Sequence, residues 1–128
     1  MLSAGWSRPD EWGVWNDGRA AELLIRPRLD QPVDFDVRLF VCPYPGLGRT
    51  RSITVGVGEK EVLRTELGNP DGEEVVVRVA RDSLVEKTAR LVFSFANPES
   101  PRSAGLSDDA RELALRLVVA SIHPVDPD

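Results

Sequence analysis

From Val33 to Val41 the chain alternates: Val33, Phe35, Val37, Leu39 and Val41 are apolar, and Asp34, Asp36 and Arg38 stand between them. Residues two apart share one face of an extended chain, so the pattern describes a β-strand with one buried and one wet side. A helix would scatter the same residues around its cylinder. The beat recurs. Ala21, Leu23, Ile25 and Leu29 carry it through residues 21–29, against Glu22, Arg26 and Arg28. Pro27 has no N–H and asks for an edge or a bulge late in that strand. Ile53, Val55 and Val57 follow within Ser52–Val57, then Leu63, Thr65 and Leu67 within Glu61–Leu67. Val75, Val77 and Val79 make the next inward row, and Ala89, Leu91, Phe93 and Phe95 the one after it.

Turn chemistry separates these runs. Asp17-Gly18, between Val14-Trp15 and Ala20-Ala21, reads as a two-residue hairpin loop. Cys42–Gly48 and Asn97–Ser103 are loops by their prolines and glycines, and Asn69-Pro70-Asp71-Gly72 is a turn. Gly58-Glu59-Lys60 turns the chain as well, and the polar Arg81–Lys87 suits one short helical turn. Leu106–Ile122 admits two readings. Asp109 as N-cap with Glu112 three residues on fits a helix start. Leu113, Leu115, Leu117 and Val119 instead alternate as a strand, and the Val118-Val119 pair favours that choice. The fold expected is all-β: an antiparallel two-sheet β-sandwich, jelly-roll-like, with about seven to nine strands and little helix. Residues 1–123 form the single domain, and 124–128 a flexible tail.

At 128 residues the chain is long enough for one core without staples. Its lone Cys42 forms no internal bridge, and no CxxC spacing exists, so neither structural zinc nor a cofactor is expected. A net charge of −5 without a Lys/Arg cluster repels phosphate backbones, which excludes nucleic acid as a partner. No apolar run approaches the roughly 20 residues of a membrane helix, and no secretory signal opens the chain. The expected setting is cytoplasmic, without membrane insertion.

All three tryptophans lie in Gly5–Gly18, beside Glu11, Asn16 and Asp17. Trp6, Trp12 and Trp15 suit a platform for the apolar C–H faces of a sugar ring, with the polar residues reaching its hydroxyls. They equally suit plugs of the sandwich, each burying on the order of 200 Å². In an extended chain Trp12 and Trp15 would face opposite sides, one inward and one outward. Asp108, Asp109 and Arg111 form a second cluster that either grips a ligand or braces its own loop, Arg111 reaching Glu11 or Asp17. Catalytic signals are weak. His123 is the one histidine and has no partner spacing for a Ser-His-Asp or metal site, and Cys42 has no evident base.

Two motifs also carry a family resemblance. The opening Gly5-Trp6-Ser7-x-Pro9-x-Glu11-Trp12-Gly13-x-Trp15-x-Asp17-Gly18 resembles the start of an all-β accessory module of bacterial surface-polysaccharide proteins. There it is appended to glycosyltransferases and related enzymes. The closing Ser100-Pro101-x-x-x-Gly105-Leu106-Ser107-Asp108-Asp109-x-Arg111-x-Leu113 is similar to the same module's last loop and strand. That family often has Asn-Gly in its central hairpin, where this chain has Gly58-Glu59. The resemblance implies a β-sandwich and a setting in glycan synthesis, and brings no catalytic residues. The function expected is a non-catalytic, carbohydrate-binding accessory module, with a partner glycosyltransferase. The alternative is an interaction or assembly module that docks on an enzyme or forms a homodimer.

Overall fold

In the computed structural model the alternating residues line the facing sides of two sheets. Residues 2–28, 33–46, 50–102 and 105–125 are described. Among them are eight strands: β1 (Val14–Trp15), β2 (Ala20–Ile25), β3 (Phe35–Pro43), β4 (Arg51–Val57), β5 (Lys60–Leu67), β6 (Glu73–Val79), β7 (Ala89–Phe95) and β8 (Leu115–Pro124). The one helical element described is a single 3-10 turn, Arg81–Ser83, within the polar stretch that predicted it.

The sheets are antiparallel, with strand orders β1-β8-β3-β6 and β2-β7-β4-β5. First pairs with last, second with seventh, third with sixth and fourth with fifth, as when one long hairpin is wrapped around a core. That is jelly-roll order. Phe35, Val37, Leu39, Val41, Val75, Val77 and Val79 of one sheet meet Leu23, Ile53, Val55, Leu91, Phe93 and Phe95 of the other in one apolar cluster. Each such large side chain contributes about 1.5–3 kcal/mol relative to an exposed position.

Four expectations change. Asp17-Gly18 is no hairpin: β1 pairs with β8 and β2 with β7, so the dipeptide carries the chain from one sheet to the other. Gly18 keeps the positive φ that the Asp-Gly signal foretold, but the flanking strands are too short and divergent to zip. The strand of residues 106–122 starts at Leu115, and Leu106–Ala114 is an irregular loop with bends and one isolated bridge. Leu113, Leu115 and Leu117 are buried as the alternation requires, yet Val119 is 55% exposed. Opposite β3 the register jumps from Val41↔Leu117 to Phe40↔Val119, so Val118 is the extra residue of a bulge and the phase inverts beyond it. Finally, β8 runs through His123 and Pro124, held by pairing with Asp36 and Phe35. Leu29, Leu47, Gly48, Ser103 and residues 126–128 lie outside the described residues.

Candidate functional site

The two charged motifs meet at one end of the sandwich. Asn16, fully buried, joins them. Its Nδ2 donates to the carbonyls of Gly18 and Glu112 at 3.0 and 3.1 Å. Its Oδ1 accepts from the N–H groups of Ala114 and Leu115 at 2.7 and 2.9 Å. One amide thus satisfies four backbone groups that no strand pairs, which removes a large desolvation penalty. Asp17 Oδ1 adds a bond from the Glu112 N–H at 3.1 Å. Asn16 and Asp17, expected among ligand contacts, are the stitches of a clasp.

The tryptophans take different roles. Trp6 packs edge-on to Phe93, with ring centroids 5.8 Å apart, and its Nε1 donates to the Glu22 carbonyl at 2.6 Å. It is a core plug with its polar handle satisfied. The chain reaches it through Gly5, at φ 88°, where a Cβ would stand 2.1 Å from the Ala20 carbonyl oxygen. Trp15 lies on the outer side of its sheet in a row with Arg116 and Cys42. It is half-buried, edge-on to Tyr44 at 5.8 Å, with the Arg116 guanidinium 5.6 Å from its ring centre.

Trp12 is the exception. It sits not in a strand but in a tight turn closed by Asp10 N–H to the Gly13 carbonyl (2.9 Å) and by Trp12 N–H to Asp10 Oδ1 (2.8 Å). Its side chain is 66% exposed. Trp12 and Trp15 do differ in exposure, but the cause is this turn rather than strand parity. Gly13 must be glycine here, at φ 135°, because a Cβ would meet the Leu117 carbonyl oxygen at 2.4 Å. Glu11 in the same turn is exposed.

Arg111 pairs with Asp109 and not with Glu11 or Asp17. Nε and Nη2 reach the carboxylate at 3.0 and 2.6 Å, and the Arg111 backbone N–H adds 3.0 Å. The two side chains keep 40% and 28% of their surface in water. The bidentate Arg111 hydrogen bonds, helped by that backbone N–H, hold the Asp109 carboxyl below its usual range. Arg111 in turn is raised, first by Asp109 and further by the charges of Asp17 and Asp10. Asp108 is exposed.

Arg51 is a residue the alternation passed over. It continues the inward phase of Ile53, Val55 and Val57, and it is buried to 1% exposure. Its guanidinium donates to the carbonyls of Tyr44 and Asn97 at 2.8 and 2.6 Å and to Glu99 Oε2 at 2.9 Å. It also lies over the Tyr44 ring at 5.4 Å. Burial, with Glu99 adding to it, pushes the Tyr44 phenol up. A further cleft of about 500 Å³, lined by Val57, Lys60, Glu61, Val62 and Arg78, opens at the opposite end. Ser121 Oγ and His123 Nε2 are 2.8 Å apart on the exposed strand, but Asp36, across from His123, is taken by Arg78.

No protein family matches the chain, and no curated protein matches it. Among solved structures, 12 chains match. One is the C-terminal domain of EclA, described as a sugar-binding protein, at a TM-score of 0.54 and 10% identity. The alignment covers 95% of this chain and 81% of that one. At that identity the likeness concerns the fold.

Proposed function

We propose that this domain is a non-catalytic carbohydrate-binding module whose contact surface is the Trp12 turn together with Arg111 and Asp109. The carrying observation is Trp12: an indole 66% exposed on a turn whose backbone is locked by its own hydrogen bonds. A rigid, wet aromatic face is costly to leave in water unless something covers it, and sugar rings present matching C–H faces. The partly exposed Arg111–Asp109 pair, whose arginine feels the charge of Asp10 in the Trp12 turn, would supply donors and acceptors for hydroxyls. The sugar-binding description of a protein with the same fold supports the reading. The setting we propose with it rests on the two end motifs: cytoplasmic glycan synthesis in bacteria, beside a glycosyltransferase.

A panel of bacterial oligosaccharides titrated against the protein tests this, with Trp fluorescence as the readout. A saturable change is expected with at least one of them, lost in Trp12→Ala. No change at about millimolar sugar, an affinity of only some 4 kcal/mol, would contradict it.

A further inference from the structure

The first strand of this jelly roll is too short for the strand it flanks. β1 pairs with β8 only at Val14↔Leu117 and Trp15↔Arg116, whereas β8 continues to Pro124 against β3. The chain before β1 does not run on along β8. It turns back at Asp10–Gly13 and caps the other sheet, where Ser3 N–H donates to the Glu22 carbonyl and Glu22 N–H to the Ala4 carbonyl. Val118–Pro124 therefore has β3 on one side and no strand on the other among the described residues.

The remaining sheet edges are protected. β2 is covered by that N-terminal segment, β5 carries Lys60, Glu61, Arg64 and Glu66, and β6 carries Glu73, Glu74 and Arg78. Charge along an edge is the usual defence against strand pairing. The part of β8 beyond β1 has none of it: Val118-Val119-Ala120-Ser121-Ile122-His123-Pro124 contains no Asp, Glu, Lys or Arg. Val118, Val119 and Ile122 are 42%, 55% and 37% exposed, and Val119 continues across the sheet to Phe40, itself 38% exposed.

We propose that the position beside β8 that no described strand takes is filled by β8 of a second copy of this chain, running antiparallel about a two-fold axis. An unpaired strand edge asks for a strand, because only another backbone satisfies its N–H and C=O groups in register. The distribution of charge leaves this edge as a place where two copies can meet without opposing their acids. At −5, two copies repel wherever their acids face each other, and this edge is a neutral strip. A two-fold axis sets the stretch against itself, so whichever residue lies on the axis, no like-charged pair is opposed. The pairing also joins the Val119–Phe40 strips of the two copies on one continuous sheet face. The inference is independent of sugar binding.

Light scattering of residues 1–128 at about 100 µM, where a micromolar dimer is almost fully assembled, tests it. The expected mass is twice that of the chain. Val119→Lys, at a side chain already more than half in water, should give a monomer with unchanged circular dichroism and melting temperature. Amide exchange within Val118–His123 should show the N–H groups that point away from β3 slowed in the wild type and fast in Val119→Lys. A wild-type monomer overturns the proposal, and so does a dimer that survives Val119→Lys with fast exchange at the β8 amides pointing away from β3. Protection of β8 that appears only when a different protein is added overturns it too.

Discussion

At the residue scale the clasp depends on Asn16, whose amide both donates to and accepts from the loop it faces. Asn16→Asp keeps the shape but sets an anionic oxygen against the carbonyls of Gly18 and Glu112. We expect a loss on the order of 3 kcal/mol in urea unfolding at neutral pH. Part of it should return on acidification, as the carboxyl regains a proton to donate. Asp109 behaves oppositely. Its carboxyl is lowered from 3.8 by the Arg111 side chain first and the Arg111 backbone N–H second, so its contribution is full above that value and lost as pH falls through the lower folded one. Since both partners are partly exposed, Arg111→Ala should cost at most about 1 kcal/mol at neutral pH. That difference should shrink as melts are run at pH values falling below 3.8 and vanish only beneath the lowered folded value, where Asp109 is protonated in both states. The alternation could have revealed Arg51, for its parity is inward. The missing signal was the trio of acceptors, two of which come from loops remote in sequence.

At the element scale, strand period carried most of the fold. Seven of the eight strands described sit where alternating residues predicted them, because one-sided burial leaves a period-two trace in the sequence. β1 fails that test, since two residues hold no period. The bulge at Val118 was equally invisible: Val119 looks like another inward residue until the partner strand sets the register. A second turn was hidden as well. Val85 and Thr88 exchange both backbone hydrogen bonds around Glu86 and Lys87, at φ 52° and 63°. Such a turn normally uses Asn-Gly, and neither side chain here announces it. Glu86→Asn with Lys87→Gly should therefore relieve left-handed backbone strain and raise stability by up to about 1 kcal/mol, read as a higher urea midpoint.

At the scale of the whole molecule, the jelly roll assigns different work to its two ends. One end gathers Asn16, Asp17, Trp12, Asp109 and Arg111 by joining residues nearly 100 positions apart, 98 between Asn16 and Ala114. The sequence offered them as two clusters, each readable as ligand contacts or as structural support. The fold buries Asn16 as a stitch and leaves Trp12, Asp17, Asp109 and Arg111 wholly or partly in water. That division was illegible in advance because it depends on which side chains the returning loop covers. Amide chemical shifts recorded during an oligosaccharide titration test the account most directly. It predicts saturable shifts confined to Asp10–Gly13 and Asp109–Glu112, together with the Trp12 indole N–H, and their disappearance in Trp12→Ala. Shifts centred on the cleft of Val57, Lys60 and Arg78, or binding that survives Trp12→Ala unchanged, would contradict it.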